Sequence, residues 1–168
     1  MLLKTGTLTR LTRFFMSLLL SQECSITSNG VEHDLLFSDI LARSGRTLLY
    51  FYPKDNTPGC TLEAQDFTRL GSEFAKSGIQ IIGVSKDDAR AHKKFQESCS
   101  LGIDLISDDG TLIEAFGVMG EKNMYGKIVF GLIRSTFLLD TTGKILKEWR
   151  NVKATGHAQK VLREILDA

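Results

Sequence analysis

The 168-residue chain has few cysteines, few prolines and almost no excess charge, and each shortage excludes a class of protein. Three cysteines are too few, and odd in number, for a fold that depends on disulfide bonds. Two prolines leave no room for a polyproline segment. A formal net charge of +1 argues against a broad basic surface for nucleic acid. The composition, with 42% hydrophobic and 24% charged residues, is typical of a globular protein. The small number of cysteines is typical of a protein from a reducing compartment.

The start of the chain lacks both acidic residues and a long hydrophobic run. Its apolar stretch over residues 14–20 is interrupted by Ser17 and is far shorter than the ~20 residues of a membrane-spanning helix. The cationic composition of residues 1–22 resembles an organelle transit peptide, but we favour a tail or an upstream start codon, with Met16 as the initiator. We therefore expect a divergent extension over residues 1–22, one domain over residues 23–168, a cytoplasmic location and no membrane partner.

From residue 23 onward, the apolar pattern alternates between strands and helices. It predicts strands at residues 24–26, 34–36, 47–52, 79–85, 105–106, 136–139 and 144–149, and helices at residues 60–77, 87–100, 112–116 and 157–167. Turn signatures at residues 28–30 and 140–143 predict two hairpins. This order is that of an α/β, thioredoxin-like fold: a central mixed sheet flanked by helices, with an added N-terminal hairpin.

The histidines and the acidic pair at residues 87–88 are interpreted as surface and helix-cap residues. His33, His92 and His157 lie on scattered polar segments, so we expect them to be solvated and not to bind a metal. Asp87 and Asp88 precede a helix, where acidic residues favour the N-terminus. The chain carries no flavin, haem or nucleotide fingerprint, so we expect chemistry without a cofactor.

The most informative segment is the polar loop at residues 53–59, which joins a buried strand to a helix and ends at Cys60. Open α/β sheets form their sites at this end of a strand. In the first turn of a helix, free backbone N–H groups and the helix dipole favour a thiolate, which is the nucleophilic form of cysteine. The alternatives are that Cys60 fills a core and that Thr57 merely caps the helix.

Three blocks of sequence resemble one family. The pattern Pro53-x-x-x-Thr57-x-x-Cys60 resembles the active-site motif of peroxiredoxins. The longer blocks at residues 52–61 (YPKDNTPGCT), 117–127 (GVMGEKNMYGK) and 131–140 (GLIRSTFLLD) resemble its bacterioferritin-comigratory (PrxQ) subfamily. Their length and order make the resemblance specific.

The resemblance implies a role for four side chains in reducing a peroxide. Cys60 would attack the peroxide and become a sulfenic acid. Thr57 would hydrogen-bond the thiolate and the substrate, Pro53 would shield the pocket from water, and Arg134 would hold a permanent positive charge beside Cys60. Fixed donors of this kind stabilise the charge that develops as the O–O bond breaks.

The sequence departs from the family in how the sulfenic acid is resolved. Members that carry a second, resolving cysteine place it at positions that are Gln65 or Gln96 here. Cys99 lies three residues after Gln96, within ~60° of the same helix face, and is a possible resolving residue. Cys99 also follows Ala91 and Phe95 at spacings of four, which instead predicts a buried helix face made of these three residues. Cys24 is interpreted as packing.

The working hypothesis is a one-cysteine mechanism. Thioredoxin, glutaredoxin or glutathione would then reduce Cys60 by thiol–disulfide exchange. We expect a monomer. The alternative function is a peroxide-sensing adaptor that forms mixed disulfides with partner proteins. A thiol–disulfide oxidoreductase is disfavoured because the chain has no C-x-x-C pair.

Overall fold

The computed structural model describes residues 14–168, and its elements alternate as the sequence predicts. Residues 14–20 are helical (α1). The strands are β1 (Glu23–Ser28), β2 (Val31–Leu36), β3 (Arg46–Phe51), β4 (Ile79–Ser85), β5 (Asp104–Ser107), β6 (Met119–Met124), β7 (Lys127–Leu132), β8 (Ser135–Asp140) and β9 (Ile145–Trp149). The further helices are α2 (Phe37–Leu41), α3 (Pro58–Arg69), α4 (Gly71–Lys76), α5 (Ala89–Cys99), α6 (Thr111–Ala115) and α7 (His157–Leu166).

The strands form a mixed sheet in the order β2-β1-β5-β4-β3-β8-β9. Strands β3, β4 and β5 run parallel, and the remaining neighbours in this sheet are antiparallel. Helices α3 and α4 connect β3 to β4, and α5 connects β4 to β5, as crossovers between parallel strands commonly do. This confirms the thioredoxin-like α/β architecture, including the N-terminal hairpin of β1 and β2, whose turn residues Asn29 and Gly30 both have positive φ.

Each face of the sheet carries its own hydrophobic core. Alternate residues of β3 divide between them, because successive side chains of a strand point to opposite faces. Leu49 and Phe51 pack with α1, α2 and α6. Leu48 and Tyr50 pack with α3, α4, α5 and α7. The second core includes Cys60, so the candidate nucleophile lies on the α3 side of the sheet.

One predicted helix needs correction, and some elements were not predicted, among them α1 and α2. The helix predicted over residues 60–77 is interrupted at Leu70, which separates α3 from α4. Residues 119–132, which begin in the second block of the family resemblance, form a hairpin, β6 and β7, that the sequence did not predict. Its strands are largely exposed, so they lack the alternation of buried and exposed residues that identifies a strand.

Two of the three histidines predicted to be solvated are buried. His92 is fully buried in α5, and His157 is buried at the start of α7, whereas His33 is exposed. His92 and His157 are accommodated because each has hydrogen-bond partners inside the protein. Burial lowers the pKa of His157 to about 4, assisted by the positive charge of Arg134.

Of the two acids predicted to cap α5, Asp88 does so. Its side chain accepts a hydrogen bond from the backbone N–H of Ala91. Asp87 instead accepts hydrogen bonds from the Ser85 hydroxyl and from the backbone N–H of Asp55. Asp87 therefore ties the end of β4 to the loop before α3.

The predicted extension over residues 1–22 falls partly outside the described residues, which begin at residue 14. Within the described part, Leu19 is buried in the first core and Met16 packs against it. Among residues 14–168, no helix is both long and apolar enough to cross a membrane. The division of the chain at residue 22 stays a prediction.

Candidate active site

The register of two neighbouring strands brings the first and third sequence blocks together. Strands β3 and β8 are antiparallel, and Phe51 at the end of β3 pairs with Ser135 at the start of β8. The loop leading to Cys60 leaves the sheet after Phe51, and Arg134 immediately precedes Ser135. Residues 74 positions apart in the chain therefore meet at one edge of the sheet.

Cys60 lies in the first turn of α3, with Pro58 at the start of the helix. Its side chain is buried, with 2% of the residue exposed. The guanidinium of Arg134 donates a hydrogen bond from Nη2 to Cys60 Sγ at 3.2 Å. The expected neighbourhood of Cys60 and Arg134 is therefore present in the structure. A guanidinium donor thus lies within hydrogen-bond distance of the buried sulfur.

The sequence reading missed Glu63, which lies one turn after Cys60 on the same face of α3 and is fully buried. Its Oε1 accepts a hydrogen bond of 2.7 Å from Arg134 Nη1, while Oε2 has no hydrogen-bond partner among residues 14–168. Burial raises the pKa of Glu63 to about 7, although Arg134 opposes that shift. An acid three residues after a buried cysteine, on an otherwise apolar helix face, was the signal that could have revealed it.

Glu63 and Cys60 together fix the orientation of Arg134. One arm of the guanidinium bonds the carboxylate and the other bonds the sulfur. Burial lowers the pKa of Arg134, but its contacts with Glu63 and Cys60 raise it by more, so the guanidinium stays positively charged. Gly59 adjoins this arrangement: a Cβ there would lie 3.4 Å from Arg134 Nη2, which is an ordinary van der Waals contact.

The other two residues of the motif lie on the loop before α3. Thr57 occupies the N-cap position of α3, but its hydroxyl does not cap the helix. Instead it donates a hydrogen bond of 2.9 Å to the backbone carbonyl of Lys54. The interpretation of Thr57 as a simple cap is therefore wrong. Pro53 is exposed at the beginning of the same loop.

The two remaining cysteines occupy different environments. Cys24 is buried in the core on the opposite face of the sheet from Cys60. Burial, together with nearby carboxylates, raises the pKa of Cys24 to about 12, which disfavours its nucleophilic form. Cys99 is half-buried at the end of α5, where its Sγ lies 3.9 Å from Asn56 Oδ1 of the loop before α3.

The buried face of α5 differs from the predicted one. It consists of His92, Phe95 and Gln96, whereas Ala91 is half-buried. The side chain of Gln96 bonds the backbone of Thr27, Gly30 and Ile103, so it joins α5 to the N-terminal hairpin and to the segment before β5. Gln65 is exposed on α3.

This arrangement of a helix-start cysteine beside an arginine can be compared with known proteins. A family model described as the AhpC/TSA family matches residues 25–148. Peroxiredoxin Bcp of Xanthomonas campestris is 50% identical over 123 residues, which cover 72% of this chain and 77% of the relative. This chain belongs to the AhpC/TSA family. It is a peroxiredoxin of the bacterioferritin-comigratory type, as the sequence blocks indicated.

Other relatives of this peroxiredoxin agree with that assignment. Peroxiredoxin Bcp of Bacillus subtilis is 46% identical over 121 residues, covering 71% of this chain and 77% of the relative. A solved structure of the Xanthomonas campestris bacterioferritin comigratory protein, described in terms of its alkyl peroxide reduction activity, has a TM-score of 0.78 and 40% identity. The match covers 90% of this chain and 94% of that one.

Proposed function

We propose that this peroxiredoxin is a thiol-dependent peroxidase that reduces hydrogen peroxide and organic hydroperoxides through Cys60. The observation that carries the proposal is the 3.2 Å hydrogen bond from Arg134 to the sulfur of Cys60. A peroxide that approaches this sulfur also approaches a fixed cationic donor. The alkyl peroxide reduction described for the Xanthomonas campestris relative supports the inclusion of organic hydroperoxides.

In the oxidation step, the Cys60 thiolate attacks one peroxide oxygen and the O–O bond breaks. The sulfur becomes a sulfenic acid, and the other oxygen leaves as water or an alcohol after it gains a proton. Negative charge develops on the leaving oxygen, and the guanidinium of Arg134 is positioned to stabilise that charge. In this proposal the Thr57 hydroxyl exchanges its bond to the Lys54 carbonyl for one to the substrate, and Pro53 limits the access of water.

In the reduction step, an external thiol attacks the sulfenic acid sulfur, releasing water and forming a mixed disulfide. A second thiolate of the reductant then releases Cys60. Thioredoxin, glutaredoxin and glutathione are the thiol reductants that fit this chemistry. The reaction consumes reduced thiols, so it suits a reducing compartment such as the cytoplasm.

Cys99 is the residue of this chain that we propose as an internal alternative to the external thiol. It is half-buried, and its Sγ lies 3.9 Å from Asn56 Oδ1, four residues before Cys60. A disulfide between Cys60 and Cys99 would require the start of α3 to move, since Cys60 is buried and points into the core. We therefore keep the one-cysteine mechanism as the main proposal.

The proposal is tested by measuring the rate at which the reduced protein loses the Cys60 thiol to hydrogen peroxide in a single turnover. We expect Cys60→Ser to abolish peroxide consumption. We expect Arg134→Gln to lower the rate about 10²- to 10³-fold, the usual effect of removing one donor to a developing oxyanion.

Arg43→Gln provides the matched control for the loss of a guanidinium. Arg43 is partly exposed and forms an ion pair with Asp104 at the end of the sheet. We expect this variant to react at the wild-type rate. An Arg134→Gln variant that reacts as fast as Arg43→Gln would contradict the assigned role of Arg134.

A further inference from the structure

A buried network of hydrogen bonds holds the loop that delivers Cys60, and the peroxidase chemistry described above does not use it. Asp55 lies in the middle of this loop and is buried. Its Oδ2 lies 2.7 Å from Nδ1 of His92 on α5, and its Oδ1 accepts a hydrogen bond of 2.6 Å from the Tyr52 hydroxyl. Its backbone N–H donates to Asp87 after β4. Asp55 therefore connects the loop to two neighbouring elements.

The partners of His92 determine how its ring is used. Its Nε2 faces the backbone carbonyl oxygen of Ile106 at 3.1 Å, and this oxygen can only accept a hydrogen bond. Nε2 must therefore carry a proton. Nδ1 lies 2.7 Å from Asp55 Oδ2, and this contact is a hydrogen bond when a second proton lies between the two atoms, carried by the ring or by the carboxyl group. Both ring nitrogens then have a partner although the side chain is fully buried. The ring of His92 therefore links β5 to the loop through its two nitrogens.

Apart from the hydrogen bonds of Asp55 and Thr57, few side-chain hydrogen bonds within residues 14–168 hold the segment just before α3. The N-cap residue Thr57 makes no capping hydrogen bond, and Asn56 has a positive φ of 60°. Asn56 is linked to α5 by a 3.3 Å hydrogen bond from the Ser98 hydroxyl. Beyond the contact of Cys60 with Arg134, helix α5 thus supplies side-chain anchors for the segment that places the sulfur.

We propose that His92, acting through Asp55, is a positioning residue that holds the 53–59 loop and the first turn of α3 in the arrangement that reacts with peroxide. It touches neither the substrate nor the sulfur. Its effect is to keep Cys60 beside Arg134, where a small misplacement would remove the benefit of a fixed donor.

The link between Asp55 and His92 should affect the oxidation and the reduction of Cys60 in opposite directions. This part of the inference rests on the function proposed above. Oxidation by a small peroxide needs the ordered arrangement. Attack by a bulky thiol or disulfide needs the sulfur to become accessible, and Cys60 is only 2% exposed. A weaker link between Asp55 and His92 should therefore slow the first reaction and accelerate the second.

The test uses the full-length reduced protein and measures two rates at Cys60. One is oxidation by hydrogen peroxide, and the other is adduct formation with dithiobis(nitrobenzoic acid), a bulky aromatic disulfide, quantified on the Cys60 peptide by mass. For His92→Asn, we expect oxidation to slow on the order of 10- to 100-fold. We expect adduct formation to accelerate by roughly tenfold, because one buried hydrogen bond less favours local opening.

Gln96→Leu is the matched control, because Gln96 is also buried on α5 but bonds the N-terminal hairpin instead of the loop. We expect it to lower thermal stability while both rates at Cys60 stay at their wild-type values. If His92→Asn fails to fold, Asp55→Ala removes the same link from the loop side and is measured in its place.

Opposite changes in the two rates for His92→Asn, absent from Gln96→Leu, support the proposal. Unchanged rates, a change of both rates in the same direction, or equal effects of the two variants overturn it. If wild-type Cys60 does not react with peroxide, the proposed function fails. The rate of adduct formation would still decide whether His92 holds the loop.

Discussion

At the scale of single residues, the site depends on one guanidinium shared between two partners. Arg134 bonds the sulfur of Cys60 and the carboxylate of Glu63, and all three lie where β8 begins and α3 starts. The buried carboxylate directs the guanidinium, but it also bears the desolvation of its own charge. The protonation of Glu63 should therefore be visible in the stability of the protein.

We predict that Glu63 makes stability depend on pH between 4.5 and about 7. The folded state holds the Glu63 proton more tightly than the unfolded state does, because burial raises the pKa from 4.5 to about 7. The stability that this tighter proton binding contributes is fully present below pH 4.5 and is lost as the pH rises through about 7. Urea denaturation of wild type and Glu63→Gln should show the difference in unfolding free energy falling by about 3 kcal/mol over this range.

Glu73→Gln serves as the control for this pH dependence, since Glu73 is exposed on α4, where it forms an ion pair with Lys76. If the difference in unfolding free energy between wild type and Glu63→Gln stays constant across this pH range, the pKa of Glu63 is not raised in the folded protein and the prediction is wrong.

Residue identities could be predicted where the chemistry is local or carried by a long motif. Cys60 follows from its place at the start of a helix, and Arg134 follows from the third sequence block. Glu63, Asp55 and His92 were missed, because the burial of a polar side chain depends on partners far away in the chain. Asp55 lies 37 residues from His92, and Glu63 lies 71 residues from Arg134.

At the scale of elements, strands buried on both faces were the easiest to predict. The apolar runs at residues 47–52 and 79–85 match β3 and β4 closely, because a parallel strand covered by helices has no polar face. The β6–β7 hairpin illustrates the opposite case. Its apolar residues Ile128 and Phe130 are exposed, so no buried face marks it as a strand pair.

The close approach of β3, β4 and β5 gives a prediction about their packing. A Cβ at Gly83 in β4 would lie 2.9 Å from the Tyr50 ring and from Leu105, both fully buried. We expect Gly83→Ala to destabilise the protein by about 1–3 kcal/mol through overpacking. Chemical denaturation would measure the change.

Gly71→Ala is the matched substitution at a glycine with open space around it, at the start of α4. We expect it to be neutral or to stabilise the protein by up to about 1 kcal/mol. Equal effects of the two substitutions would mean that Gly83 is not closely packed against Tyr50.

At the scale of the whole molecule, the sheet separates two cores and places the site on one of them. Cys24 lies in the core of the α1 and α2 face, and Cys60 lies in the core of the α3 face. The layered order was predictable, since alternating strands and helices restrict the topology to a few arrangements. The shared edge of β3 and β8 was not, because strand register depends on contacts between distant segments.

The central claim is that Cys60 is the residue that peroxide oxidises. The most direct test is intact-mass analysis of the reduced protein after one equivalent of hydrogen peroxide, with a sulfenic-acid trap present and Cys60→Ser as the control. We predict one trapped adduct, on Cys60 alone. A loss of two hydrogens that maps to Cys60 and Cys99 would contradict the one-cysteine mechanism. An unmodified Cys60 would contradict the peroxidase assignment itself.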